Sequence, residues 1–218
     1  MIKQFKEGLK PIIPHRVMNQ YKRFKWEQNV KKRLQEWEEN GYPIPPPHEY
    51  KQKVIADYQK KFGIHVLVET GTYHGHMVLA QIYRFNKIIS VELSDELYKA
   101  AAEMFRNYPH ITILHGDSGK LLPGIVKEIH EPAIFWLDGH YSAGVTAKGE
   151  KESPVLEEID AIFNGKNLPH IILIDDARHF TGKGDYPAYE ELKKFILDKN
   201  SMCRVECHHD IIRCTVDP

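Results

Sequence analysis

From residue 64 onward the chain alternates between short apolar runs and longer amphipathic stretches. The apolar runs are IHVLVET (64–70), KIISVEL (87–93), ITILHGD (111–117), AIFWLDG (133–139) and HIILIDD (170–176). Their apolar character is nearly continuous rather than alternating, as expected of strands covered on both faces. Between them lie stretches with helical spacing, roughly 75–85, 95–107, 118–130 and 153–164, and another at 186–198 follows the fifth run. Strands separated by helices predict a doubly wound α/β domain built on a mostly parallel sheet. The closing CRVECHHDIIRCTV predicts two strands around a His-His-Asp turn, which ends the sheet in an antiparallel hairpin.

The first 47 residues have a different pattern. Tyr21, Phe24, Val30, Leu34 and Trp37 line one face of a helix predicted over 20–39, and Pro11 and Pro14 interrupt the segment before it. GYPIPPP (41–47) cannot continue a helix, because proline lacks the amide and restricts its predecessor. It reads as a stiff linker, and 48–62 as a further helix leading into the sheet. The expected division is a helical appendage over 1–47 and a main domain over 48–218.

Charge sharpens that division. The chain holds 30 basic and 30 acidic residues, so no global field favours nucleic acid or a membrane. Residues 1–39, however, hold ten Lys/Arg against five acids, and the rest carries the opposite excess. This basic face reads first as a solvated helix surface, and a docking role on anionic lipid or glycan stays open. No apolar run is long enough to span a bilayer, and the first residues lack the apolar core of a secretory signal. Three cysteines, Cys203, Cys207 and Cys214, make no disulfide framework and match no zinc spacing, so they read as strand thiols at least half-buried. A reduced cytoplasmic location is expected. A homo-oligomer is compatible with the pattern.

Candidate chemistry gathers at the ends of the strands, where open α/β sheets bind ligands. The first strand ends in Glu69-Thr70-Gly71-Thr72-Tyr73-His74-Gly75. Gly71 permits a tight turn and a close ligand, and Gly75 permits close helix packing. This is not the dinucleotide fingerprint, because Tyr73 and His76 stand where glycines are needed. The second strand ends at Glu92, whose carboxylate can accept from both ribose hydroxyls of an adenosine. The third ends in Gly116-Asp117-Ser118, with a carboxylate for an adenine amino group and a hydroxyl that can cap the next helix. Taken singly, each acid reads as a cap or a solvated loop residue. Three strand ends in sequence, each with suitable chemistry, point to an adenosine-bearing ligand.

The fourth and fifth strands end in FWLDGHY and ILIDDARHF, which bring Asp138, Asp175 and Asp176 to one sheet edge. Close carboxylates repel unless protons or a cation intervene, and hard oxygen ligands select Mg²⁺, Mn²⁺ or Ca²⁺. Such a cation would lower the pKa of a substrate hydroxyl and hold it. The alternative is that Asp175 and Asp176 cap the next segment. His140 is the candidate general base. The polar stretch 138–154 is long for a strand-to-helix connection and suits a substrate lid.

VLVETGTYHG, ISVEL and LHGDS together resemble the first three motifs of class I S-adenosylmethionine-dependent methyltransferases, a Rossmann-like fold. The resemblance implies that Glu69, Thr70, Gly71 and Gly75 hold the methionine moiety, Glu92 the ribose, and Asp117 with Ser118 the adenine. The LDG and DD ends resemble the cation-dependent O-methyltransferases, closest to the macrocin-type sugar branch. That implies Asp138, Asp175 and Asp176 as ligands of Mg²⁺ and a small-molecule, sugar or glycoconjugate acceptor. Tyr141 stands where the catechol-type enzymes carry a lysine. Nucleic acid is not an expected partner. A metal-independent transferase using Asp138 and His140, and a non-catalytic binding module of the same fold, are the competing expectations.

Overall fold

The computed structural model describes residues 28, 30–139 and 153–216. Chain contacts divide the molecule into two compact units at Pro43/Ile44, four residues before the end of the proline-rich segment. In the first unit, helix α1 covers residues 30–39. It ends where Gly41 and Tyr42 take φ of 77° and 58°, and Trp37 Nε1 donates to Pro43 O at 2.8 Å. The remainder of the helix expected over 20–39, and everything before it, lies outside the described residues.

The second unit opens with α2 (His48–Phe62), which stops at Gly63 in the left-handed conformation. Then follow β1 (Val66–Thr70), α3 (His76–Gln81), β2 (Lys87–Glu92), α4 (Asp95–Phe105), β3 (Ile111–His115), α5 (Ser118–Lys127), β4 (Ala133–Leu137) and α6 (Val155–Phe163). After β5 (Ile171–Ile174) come a 3-10 turn (Ala177–His179), α7 (Tyr189–Lys199), β6 (Cys203–His208) and β7 (Ile211–Val216). The helix expected over 75–85 is only six residues long, because the chain turns after Gln81 to reach β2.

Seven strands form one sheet in the order β3-β2-β1-β4-β5-β7-β6. The first five strands pair in parallel, and β7 runs antiparallel to both β5 and β6. The expected doubly wound fold and its C-terminal hairpin are both present. His209 and Asp210 make the hairpin turn with φ of 48° and 65°, the geometry that matches strand twist in two-residue loops.

Alternate residues of the strands feed two separate cores. Val66, Val68, Phe135 and Ile172 pack with α5, α6 and α7. Leu67, Ile88, Ile134 and Trp136 pack on the other face with residues of α2, α3 and α4. Burial on both faces explains the unbroken apolar runs. At the sheet edge, β3 is only half-buried, so its ITILH run departs from full coverage. Cys203 and Cys214 are buried as expected, but Cys207, near the turn end of edge strand β6, is exposed. Among the described residues, no helix is long and apolar enough to cross a membrane.

Among the described residues, both cores are built from residues of the second unit. A shortened chain beginning at Ile44 is expected to keep the sheet and a cooperative thermal transition, read by circular dichroism. An unfolded product would show that the first unit belongs to the core.

Candidate functional site

The strand order reverses between β1 and β4, because the chain builds outward from β1 to β3 and then returns to β1's other side. At such a switch point the loops after adjacent strands part and leave a crevice. Register puts Thr70 opposite Val91 on one side and Leu137 on the other, and Leu137 opposite Ile174. The loops beginning at Gly71, Asp138 and Asp175 therefore leave the sheet side by side. Their backbones are tied: Asp138 N donates to Thr70 O at 3.1 Å, and Asp175 N to Leu137 O at 3.0 Å.

Gly71 brings the loop after β1 hard against the loop after β4. Its φ is +86°, and a Cβ there would lie 2.4 Å from the Asp138 carbonyl oxygen. Only glycine fits such an approach. Tyr73, also at positive φ (48°), turns the loop so that its amide donates to Glu92 Oε2 at 2.7 Å. The other oxygen of Glu92 accepts from Ser94 N at 2.9 Å. These bonds orient the buried Glu92 carboxylate, which retains lone pairs for further donors. Gly75 caps α3 in the left-handed conformation against the Phe105 ring.

Two neutral-leaning acids flank β1. Glu69 is buried and accepts from Ser90 Oγ at 2.5 Å; burial pushes it up to about 8 against that hydrogen bond. On the opposite face Glu158 of α6 is buried against the Ser118 and Thr70 hydroxyls, and burial pushes it up to about 7. Ser118 is thus a partner of Glu158 rather than a helix cap. Helix α5 starts at Ser118, the first residue of the expected 118–130 range, with Asp117 as N-cap, and the Asp117 side chain makes no capping bond.

Asp138, Asp175 and Asp176 do converge, and a lysine lies among them. Lys51 Nζ of α2 ion-pairs with Asp175 Oδ2 and, at 3.2 Å, with Asp176 Oδ1. The Asp175 side chain is fully buried, and those of Lys51 and Asp176 are 13% and 14% exposed, so this pair is shielded from water. Burial disfavours the ammonium, but Asp175, Asp176 and Asp138 outweigh it and hold Lys51 above its ordinary value. Burial pushes Asp175 up to about 6, with Lys51 pulling it back. Burial and then Asp175 push Asp138 well up, again opposed by Lys51. Arg178 Nη1 adds a second cation, donating to Asp176 Oδ1 at 2.9 Å and pairing with the buried Asp210. Asp176 holds this position with φ of 56°, uncommon outside glycine.

Local sequence explains how a lysine reaches this place. Val54 and Ile55, three and four positions after Lys51, are buried in the core, so Lys51 lies on the inward face of α2. The buried Gln81 side chain donates to Gln52 O at 2.8 Å, and Gln52 Nε2 donates to His76 O at 3.4 Å, which ties α2 to α3. A lysine at core spacing was the available signal, and so was Glu158 between Val155 and Ile162 on α6.

The first half of the site fits an adenosine-bearing cofactor: the Gly71–Gly75 loop, the oriented Glu92 and the non-capping Asp117 stand at consecutive strand ends. The second half does not fit a divalent ion as it stands. Two of the three expected ligands are already neutralised by Lys51 and Arg178, and no group of three or more His, Cys, Asp or Glu is arranged to hold a metal among the described residues. His140, Tyr141 and the expected lid up to residue 152 lie outside the described residues.

No family model and no curated protein matches the sequence. Solved structures do match the fold. An O-methyltransferase from Bacillus cereus in complex with S-adenosylhomocysteine is 12% identical, with TM-score 0.58 over 87% of this chain and 91% of that one. The O-methyltransferase TomG from Streptomyces achromogenes, involved in tomaymycin synthesis and bound to S-adenosylmethionine, is 13% identical, with TM-score 0.57 over 87% and 89%. The Podospora anserina methyltransferase PaMTH1, bound to S-adenosylhomocysteine, is 16% identical, with TM-score 0.57 over 96% and 100%. What these likenesses show is a shared fold.

Gly71→Ala is expected to destabilise the protein by about 1–3 kcal/mol through strain and displacement of the Asp138 backbone, read as a lowered thermal midpoint. An unchanged midpoint would contradict the close approach. For Glu69, the folded value of about 8 lies above the ordinary 4.5. Below that ordinary value both states are protonated. As pH rises toward 8 only the unfolded state ionises, so stability falls through this window and then levels. Glu69→Gln should flatten the decline of the thermal midpoint between about pH 5 and 8; an unaltered slope would rule out the protonated acid.

Proposed function

We propose that this protein is an S-adenosylmethionine-dependent O-methyltransferase that methylates a hydroxyl of a small molecule, sugar or glycoconjugate in the cytoplasm. The observation that carries this reading is the row of strand ends at one switch point. The Gly71 loop, Glu92 and Asp117 stand on the β1-β2-β3 side, and a charged, shielded cluster stands at β4 and β5. The similar structures share this fold and bind S-adenosylmethionine or its product.

Each of these residues has a definite task. The loop from Gly71 to Gly75 would wrap the methionine end beside the Asp138 backbone, with Glu69 and Thr70 buried beneath it as its support. Glu92, oriented by the Tyr73 and Ser94 amides, would accept from the ribose hydroxyls. Asp117, with Ser118 beside it, would face the adenine amino group. When bound, S-adenosylmethionine supplies a methyl group on cationic sulfur and leaves as neutral S-adenosylhomocysteine once an acceptor oxygen has taken the methyl. The acceptor's proton must leave to a base, and His140, two residues after Asp138, is the proposed one.

Two versions of the acceptor side follow. The convergence of Asp138, Asp175 and Asp176 supports a cation-assisted reaction with Mg²⁺ on those three carboxylates, provided that Lys51 gives way. The Lys51 ion pairs favour a metal-independent reaction.

S-adenosylhomocysteine should bind in calorimetry, and NAD should not. Glu92→Ala should weaken that binding by about 1.5–3 kcal/mol, the range for hydrogen bonds to a charged group. Full affinity in the variant would remove the ribose assignment, and no binding to the intact protein would remove the methyltransferase reading.

A further inference from the structure

We propose that Lys51 is the resident cation of the acidic cluster and stands in the place that a divalent ion would take, which makes this a metal-independent site. The inference rests on the methyltransferase reading for what the cluster serves, but not for where the ammonium lies.

Three carboxylates at the ends of β4 and β5 need a positive partner, and Asp175 is removed from water altogether. A single ammonium contacts Asp175 Oδ2 and Asp176 Oδ1, one oxygen from each of the two adjacent residues. A divalent ion bridging the same pair would have to lie where Nζ lies. Two positive centres cannot share that space, and bringing a second cation against a buried ammonium is electrostatically unfavourable. Lys51 is also not a surface side chain that happens to reach in. It sits on the inward face of α2, one turn before buried Val54 and Ile55, and α2 is tied to α3 through Gln52 and Gln81. The helix therefore delivers the ammonium as part of the folded core.

This placement has a chemical consequence. An ammonium is a donor with three N–H bonds, and two of them serve Asp175 and Asp176. The third is the donor that the site can offer to an acceptor oxygen, whereas a metal would offer an open coordination position. The positioning group of the acceptor side is then a fixed hydrogen-bond donor, and its charge does not depend on any ion in solution.

The test is a titration of the intact protein and two variants with Mn²⁺, with bound metal followed by electron paramagnetic resonance. Wild type should bind no Mn²⁺ in the micromolar range. Lys51→Met removes the ammonium and leaves the carboxylates, and it should gain one Mn²⁺ site with affinity about tenfold or more above wild type. Lys51→Arg keeps a cation and should stay without one. Stoichiometric micromolar Mn²⁺ in wild type would overturn the proposal. So would the absence of Mn²⁺ from a folded Lys51→Met, since a vacated site would then accept no divalent ion. Should Lys51→Met unfold, Lys51→Gln takes its place, and the wild-type titration still decides against the proposal if metal binds. S-adenosylhomocysteine binding is measured on the same samples. Its failure would remove the methyltransferase reading and leave the Lys51 assignment standing.

Discussion

Taking the Asp175 carboxylate wholly out of water costs several kcal/mol unless a positive group goes with it. In this molecule that group is Lys51, and much of the architecture follows from bringing the two together. Asp175 is fixed by the pairing of β5 with β4, through its amide on Leu137 O. Lys51 is fixed by α2, which packs against the β1 and β4 face of the sheet through Val54 and Ile55. Neither element can shift alone without leaving a buried charge unpaired, a change that costs about 3–5 kcal/mol. The ion pair therefore couples the helix preceding the sheet to the end of β5.

The same crevice is kept tight by a different device at the ends of β1 and β2. Gly71 lets the β1 loop touch the Asp138 backbone, and Tyr73 at positive φ aims its amide at Glu92. Both contacts need unusual backbone, and both serve to bring three loops from three strands into one place. Positive φ at Asp176 does the same at the end of β5. Strain of this kind persists only where surrounding structure determines it, and here the flanking strands are buried on both faces. The rigid sheet makes the irregular loops affordable.

Much of this was legible in the sequence, for physical reasons that also mark where legibility stopped. Strands buried on both faces announce themselves as unbroken apolar runs, so β1, β2, β4 and β5 could be found, and with them the acids at their ends. Periodicity is less informative about where a helix stops. The short α3, and the use of Ser118 as a partner of Glu158 rather than as a cap, depend on tertiary contacts. Lys51 and Glu158 were hidden in a subtler way. Each is a charged residue at core spacing on an amphipathic helix, and averaging over the helix conceals it. Reading a charged residue among buried positions as a request for a partner would have exposed both.

That rule changes how the carboxylate trio should be understood. Three acids at one sheet edge look from the sequence like a site that lacks a cation, and a metal is the obvious candidate. The acids alone cannot distinguish a metal from a lysine, because both relieve the same repulsion. What distinguishes them is geometry. A divalent ion needs several oxygens around one point, whereas an ammonium needs acceptors along three directions. In this structure Asp175 and Asp176 each give one oxygen to Lys51, and Asp176 shares that oxygen with Arg178. Arg178 in turn pairs with Asp210 at the turn between β6 and β7. The carboxylates are thus distributed over two protein cations that link α2, β5 and the hairpin. A network built this way links the end of β5 to α2 on one side and to the C-terminal hairpin on the other.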